Sequence, residues 1–355
     1  MYYYRQQLGF SIIEIMVGMV LSLFLIAGVT SFYFSNKESF NTQNNIARIE
    51  ADARFISEML QADLRHAGYY GCNKETPMKE VLNSTPFLVE YANPIEGYDA
   101  EDTTTWDRAI TETGLTIGTT SGDIVRGGTD ILVVRRAEEE QTPLASAMAS
   151  SAANLEVEED ISPALFAVND VAIVSDCSRS AIFQVTAFNE STGVVEHSTS
   201  GGSIGNDTSD LLDEPPFFNT DASVMKFRTT VYFIGTDTNG VPSLRRKVNG
   251  ETSEVIASGV ENMQILYGLD TDASADGVAN RYVTAEDVSS GDWENVVSTR
   301  VGLLMQSPGD VLPDDDDASY FVLDEEISDT GTTITHAGDR LLRQVVPLTI
   351  DLRNI

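Results

Sequence analysis

Cysteine, histidine and basic side chains are scarce in this chain. Its 355 residues include two cysteines, three histidines, and 22 lysines and arginines against 55 aspartates and glutamates. Two cysteines cannot build a disulfide-dense scaffold or a four-cysteine zinc site. A formal net charge of -33 argues against the basic surface that nucleic-acid binding needs, so no directly bound nucleic acid is expected.

Residues 10–68 predict one long helix. Proline is absent from Phe10 to Gly68, and charged residues are absent from Ile15 to Asn36. About 20 apolar residues suffice to cross a bilayer as a helix, so the uncharged segment predicts a membrane span. Beyond it, apolar residues recur at spacings of three and four, which predicts that the helix continues with one buried stripe and ends at about Leu64 or Ala67, with Gly68 as its cap. The stripe comprises Ile46, Ile49, Ala53, Ile56, Leu60, Leu64 and Ala67.

A lone carboxylate, Glu14, lies at the start of the apolar segment. A carboxylate near the centre of a membrane helix costs about 2.5 to 3.5 kcal/mol and less near an interface, so Glu14 indicates a partner. If the chain is cut after Gly9, the new α-amine of Phe10 can supply it, within one helix or between subunits. A secretory signal peptide would be cut after its apolar segment, whereas here the site precedes it. The simpler alternative is a single-pass anchor with an incidental glutamate.

Residues 9–28, GFSIIEIMVGMVLSLFLIAG, resemble the class III signal of type IV pilins and pseudopilins. The resemblance implies peptidase cleavage between Gly9 and Phe10, N-methylation of Phe10, and pairing of Glu14 with the Phe10 amine of a neighbouring subunit during assembly. Further segments resemble the PilW family of type IV pilus minor pilins. They are ARIEADARFISEMLQADLRHAGYYGC, DILVVRR, GVENMQILYGLDTD, DWENVVSTRVGLLMQS and DRLLRQVVPLTIDLRN.

The rest of the chain predicts β structure, because short runs rich in β-branched and aromatic residues alternate with turn residues. Asn239-Gly240 predicts a hairpin, and Pro347 inside the last run predicts an edge strand or a bulge. The expected fold is α+β and pilin-like, with a long N-terminal spine helix packed on an antiparallel β-rich head. The expected parts are a leader (1–9), a transmembrane helix (10–36), its periplasmic continuation (37–68) and the globular head (69–355).

Cys72 and Cys177 can form one disulfide. If the chain after the membrane helix is periplasmic, pairing is expected, and two buried free thiols are the alternative. In the chain-entropy model the bridge would stabilise the head by about 4 to 5 kcal/mol. The PilW resemblance supports pairing, since GYYGC and VSDCSRSAIFQV look like cysteine contexts of that family.

Catalytic and metal-binding patterns are weak. The three histidines are far apart in sequence, and the GGSIG match to a nucleophile elbow at 201–205 lies in a polar loop. Asp270, Asp272 and Asp276 alternate in one loop and form a weak calcium candidate, with a solvated acidic loop as the alternative. The run Asp314–Asp317 is expected to be solvated. We expect no enzymatic activity and no cofactor other than this candidate calcium.

The resemblance implies a minor pilin that helps initiate pilus assembly at or near the fibre tip. The implied partners are other minor pilins, the major pilin, a tip adhesin, the prepilin peptidase and the inner-membrane assembly platform. The chain would be a single-pass inner-membrane protein with a periplasmic head, and extracellular after assembly. The alternatives are a type II secretion pseudopilin, or a membrane-tethered periplasmic enzyme or binding domain that keeps Met1 and is indifferent to Glu14.

Overall fold

One long helix precedes a β-rich head. The computed structural model describes residues 11–71, 76–118, 122–158, 165–202, 204–272, 274, 276–289, 291–323, 325–328 and 334–353. Helix α1 (Ile12–Arg65) has 54 residues. At 1.5 Å per residue it is about 80 Å long, far more than a bilayer needs. The expected α+β, pilin-like architecture is confirmed.

The head consists of short and medium strands. Within the described residues they are β1 (Met78–Glu80), β2 (Ile95–Tyr98), β3 (Thr116–Ile117), β4 (Ile124–Val125), β5 (Ile131–Pro143), β6 (Leu155–Glu156), β7 (Val171–Ser175), β8 (Ser180–Gln184), β9 (Ala187–Asn189), β10 (Val194–Glu196), β11 (Ser223–Thr236), β12 (Pro242–Val248), β13 (Glu254–Ser258), β14 (Val260–Leu269), β15 (Arg281–Val283), β16 (Val296–Gln306), β17 (Tyr320–Val322), β18 (Glu325–Ser328), β19 (Ile334–Thr335) and β20 (Arg343–Asp351). Short 3-10 helices span Phe87–Val89, Ile110–Thr113 and Trp293–Asn295.

Two sheets build most of the head. The larger has the order β1-β8-β7-β11-β12-β13, and β5 joins β11 to β2. Strand β11 is central, because it pairs with β5 over 223–232, with β7 over 223–226 and with β12 over 230–236. The pairing of β1 with β8 is parallel, and the other pairs of this sheet are antiparallel. The second sheet, β15-β14-β16-β20, is antiparallel throughout.

The structure locates the two turn and strand-breaking residues singled out in the sequence, Gly240 and Pro347. The β11–β12 hairpin is confirmed, with Thr236 opposite Pro242. Its connection is five residues long and only Gly240 of the predicted pair has a positive φ, 83°, so the turn is wider than a two-residue type I′ turn. Strand β20, with Pro347 opposite Gly302, is an edge strand of the second sheet. Proline fits there because its nitrogen has no hydrogen to donate to another strand.

The main core forms where the second half of α1 meets both sheets. The helix contributes the buried residues Ile49, Ala53, Ile56, Leu60 and Leu64, and Ala67 follows just after its end. The predicted stripe is therefore confirmed, except that Ile46 is only half-buried. Fully burying one leucine or isoleucine contributes about 1.5 to 3 kcal/mol, so this stripe holds the helix to the head.

A second core and one buried carboxylate complete the head. The second core includes Leu155, Phe183 and Phe218, which lie between β5 and β11 in the chain. Elsewhere, Asp130 links the two sheets, since its Oδ1 accepts a hydrogen bond from the Ala100 amide at 3.0 Å and its Oδ2 accepts one from the Ile265 amide at 2.7 Å. Charged acceptors bound by backbone amides are among the stronger hydrogen bonds in proteins, so this link is well placed to hold the sheets together.

Candidate functional site: the spine helix and its junction with the head

Ser11 and Glu14 fix the start of α1. The Ser11 hydroxyl accepts a hydrogen bond from the Ile13 amide at 3.3 Å, and Glu14 Oε2 accepts one from the Ser11 amide at 3.0 Å. This capping box satisfies amide groups that a helix start leaves without partners. In the uncut chain the carboxylate of Glu14 therefore has a local donor. Gly9 and Phe10, the predicted cleavage site, lie outside the described residues.

The first half of α1 has no protein around it. Every residue from Ile12 to Asn41 is exposed, and the large side chains of Phe24 and Leu25 are 72% and 70% exposed. Helix α1 is the one candidate membrane span found in the described part of the chain, by its length and apolar composition. So large an apolar surface needs a bilayer or other helices to cover it. The geometry is that of a membrane anchor.

Family models match the two parts of the molecule that carry these features. The prokaryotic N-terminal methylation motif matches residues 4–30, which contain Gly9, Phe10 and Glu14. The type IV pilus-assembly protein W family, PilW, matches residues 231–354. The resemblance to PilW is confirmed. A search of curated proteins gave no match.

The PilW match begins within β11 and covers all of the second sheet. Together the two matches make the chain similar to type IV pilus proteins in its N-terminal helix and in its second sheet. The predicted resemblance of Ala47–Cys72 and Asp130–Arg136 to PilW lies outside both matched ranges and stays a prediction.

A buried carboxylate on α1 faces the head at the junction. Asp63 is 6% exposed, and its Oδ1 accepts a hydrogen bond from Arg136 Nη2 at 3.0 Å. The hydroxyl of Tyr232 donates to Asp63 Oδ2. Burial and the Asp63 carboxylate raise the pKa of Tyr232, so the phenol keeps the proton that it donates. We did not predict this network from the sequence, although Asp63 lies three residues after Leu60 and so falls on the predicted buried stripe.

The chain leaves α1 along strand β5. The cap residue is His66, whose amide bonds back to the Asp63 and Leu64 carbonyls, so the prediction of Gly68 as the cap is wrong. Gly68 has a φ of 72°, and its amide donates to the Arg135 carbonyl at 3.0 Å instead. Glycine suits this position because it has no β-carbon and therefore adopts a positive φ without steric strain.

One carboxylate oxygen from each of Asp270, Asp272 and Asp276 lies within 4.8 Å of the others. Asp270 is buried, and its Oδ2 accepts hydrogen bonds from the amides of Asp276 at 2.9 Å and Gly277 at 2.8 Å. These bonds give one oxygen of the buried carboxylate two donors from its own loop. Calcium binding at this cluster stays a prediction.

The expectation that the Asp314–Asp317 run is solvated is wrong for Asp316. It is 5% exposed, and its Oδ2 accepts hydrogen bonds from Arg343 Nη1 at 2.9 Å and from the Tyr320 hydroxyl at 3.0 Å. Burial opposes ionisation of this group, but bonds from Arg343, the Ala318 amide and Tyr320 outweigh it and lower the pKa of Asp316. The sequence of an acidic run does not show which of its carboxylates will pair with a buried arginine.

Of the two cysteines in the predicted disulfide, Cys177 lies within the described residues. Cys177 takes part in a disulfide and lies at the turn between β7 and β8 with a φ of 69°. Cys72 lies outside the described residues, so its role as the partner stays a prediction. If it is the partner, the bridge ties the segment after α1 to the turn between β7 and β8.

The histidines serve packing and hydrogen bonding to the backbone. Their contacts are His66 Nδ1 with the Ala62 carbonyl at 2.7 Å, His197 Nε2 with the Ala153 carbonyl at 3.0 Å, and His336 Nε2 with the Ala318 carbonyl at 2.8 Å. Burial lowers the pKa of His197, which favours its neutral form. In the 201–205 segment, Ser203 lies outside the described residues.

Proposed function

We propose that this chain is a minor pilin that helps initiate type IV pilus assembly and enters the fibre at or near its tip as part of a minor-pilin complex. The supporting observation is a methylation-motif helix, uncovered from Ile12 to Asn41, that continues into the core of a head with a PilW region. An anchor for a soluble domain needs only the membrane span. Continuity of the helix with the head core couples the head to whatever the helix packs against.

Processing would expose the group that Glu14 pairs with. Hydrolysis of the Gly9–Phe10 bond by the prepilin peptidase releases the nine-residue leader, and a methyl donor then methylates the Phe10 amine. Glu14 sits four residues from that amine and accepts a hydrogen bond from the Ser11 amide. In a bilayer an unpaired carboxylate is penalised, so a neighbouring subunit's amine that arrives in register is favoured.

The partners and the location follow from that role. The chain would wait in the inner membrane with its head in the periplasm and become extracellular on assembly. It would meet the prepilin peptidase, the assembly platform, other minor pilins, the major pilin and a tip adhesin. Twitching motility, adhesion and DNA uptake are the phenotypes that would depend on it.

Mass spectrometry of sheared surface fibres tests the proposal. Cells grown with methyl-labelled methionine supply a traceable methyl group, and the N-terminal peptide of this chain is sought in fibres and in membranes. Labelled N-methyl-Phe10 in the fibre fraction, at a small ratio to the major pilin, is the expected result. A chain that keeps Met1 and stays in the membrane would contradict it, and a processed chain absent from fibres would contradict its incorporation.

A further inference from the structure

Asp63 is the one buried ionisable residue of α1 within the described helix. Its neighbours on the buried stripe are apolar. The residues that donate hydrogen bonds to it come from two paired strands of the head. Arg136 lies on β5, and Tyr232 lies on β11 inside the PilW region. Three parts of the chain therefore meet at this carboxylate.

Apolar packing alone allows the head to sit on the spine helix in several registers of similar energy. The stripe repeats every three or four residues, so sliding α1 by four residues carries Ile56 to the place of Leu60, and Leu60 to the place of Leu64. Hydrophobic burial is non-directional and changes little between such registers. A slip of one residue moves the helix by about 1.5 Å and turns it by about 100°.

The Asp63 network removes that degeneracy. Hydrogen bonds weaken steeply when their angles and distances depart from the optimum. The side chains of Asp63 and Arg136 are 9% and 8% exposed, so a displaced register would leave both charges buried without each other. The wrong registers are thereby penalised, and the observed one is selected.

We propose that Asp63 is a positioning residue that, with Arg136 and Tyr232, sets the height and rotation of the head on the spine. The inference rests on the proposed function, because the spine sets how the chain packs in a fibre and this junction then sets which way the head faces. Strand β5 supports the same alignment: the Ala137 amide donates to the Tyr69 carbonyl at 2.7 Å, one residue beyond Arg136.

The test separates positioning from stability. A triple variant, Asp63→Leu with Arg136→Met and Tyr232→Phe, replaces every polar group of the network with an apolar one of similar size. Replacing a buried ion pair in this way is often neutral or stabilising, so the head should stay folded. The control is Glu96→Leu with Arg135→Met, which removes a buried ion pair between β2 and β5 that does not involve the α1 side chains. Glu96 also pairs with the partly exposed Arg108, so the control removes at least as much charge pairing as the triple variant does.

Three quantities are measured on the full chain. They are the melting temperature in detergent, the amide hydrogen exchange of residues 49–65, and the ratio of chain in sheared fibres to processed chain in membranes. In the triple variant we expect wild-type or higher melting and about tenfold faster exchange in the helix. Its incorporation should fall by about tenfold, because only the correctly oriented fraction can enter a fibre. The control variant should keep wild-type helix exchange.

Wild-type exchange and incorporation of the triple variant would overturn the proposal, as would an unfolded head. Tyr232→Phe alone keeps the ion pair and should accelerate exchange by a smaller factor, and no change in either variant would also overturn it. If the wild-type chain is absent from fibres, the proposed function fails while the exchange measurement still decides the role of Asp63.

Discussion

The two halves of α1 share one backbone and have opposite surroundings. From Ile12 to Asn41 all side chains are exposed, whereas from Ile49 to Leu64 one stripe is buried against both sheets. The first half is apolar all round and the second is apolar on one face. A helix that is apolar all round needs lipid or other helices, and a one-sided helix needs a single partner surface. The pattern of apolar residues, and not their number, decides what covers each half.

The largest effect is expected from the carboxylate in the first half. Glu14→Ala should lower incorporation into fibres by about two orders of magnitude. An unpaired carboxylate within the membrane costs about 2.5 to 3.5 kcal/mol, and the variant loses the pairing that relieves this cost on assembly. Cleavage after Gly9 should persist. The comparison is quantified by mass spectrometry of fibres and membranes. Glu38→Ala, an exposed glutamate of the same helix, is the control and should incorporate normally. Normal incorporation of the Glu14 variant would refute the pairing role.

A leucine from each half tests the difference in surroundings directly. Leu60→Ala should destabilise the head by about 2 to 5 kcal/mol, because Leu60 is 0% exposed and its loss leaves a cavity. Leu25→Ala, at a site that is 70% exposed, should leave the head's stability unchanged. Denaturant unfolding of the full chain in detergent measures both. Equal losses would mean that the first half also packs on the head.

Acid should unfold the head at a pH at which the helix is still largely intact. Burial opposes ionisation of Asp316 and Asp339, but hydrogen bonds from Arg343 and from backbone amides together outweigh it and lower the pKa values of both groups in the folded state. The stability from each group is thus fully present above the unfolded pKa, close to 3.8, and is lost as pH falls through the lower folded pKa. Near-ultraviolet circular dichroism should report the head's loss below about pH 4, while the helical signal at 222 nm largely remains in detergent.

Asp316→Asn supplies the control for that experiment. Asparagine does not titrate, so the variant should be less stable at neutral pH and show a weaker pH dependence in the acid range. Simultaneous loss of both spectroscopic signals in the wild-type chain would contradict this expectation and show that the whole helix depends on the head.

The smallest effect is expected next to the buried stripe. Phe55 is 53% exposed although Ile56 beside it is fully buried. Phe55→Ser should change the stability of the monomer by no more than about 0.5 kcal/mol, as surface substitutions generally do. The same denaturant experiment measures it, with Leu60→Ala as the destabilised reference. A loss comparable to that of Leu60→Ala would show that a second face of α1 is covered by protein.

Regular elements were predictable because their signals are local. Helix periodicity marked Ile49, Ala53 and Leu60 as one face, and β-branched runs marked the strands at 171–175 and 296–306. The segment around Glu14 was predictable for the same reason, since a carboxylate, a glycine and an apolar run lie within one short stretch. The methylation motif spans those residues.

Long-range polar contacts were not predictable. Asp63 and Asp316 are ordinary aspartates in sequence, and each is buried beside an arginine from a strand elsewhere in the chain. Nothing within a few residues of Asp63 signals Arg136, 73 positions away. The rule that acidic runs are solvated also misses such pairs, because it considers only the residues of the run and not the side chains that pack against it in the fold.

The sequence by itself determined the membrane helix, the place of Glu14 in it, the buried stripe and the β character of the head, because each depends on residue types at short, fixed spacings. The tertiary structure alone decided which aspartates are buried, how β11 joins three neighbouring strands and how the head is aligned on the spine. Those features depend on contacts between residues far apart in the chain, where apolar burial tolerates several arrangements and directional hydrogen bonds favour one.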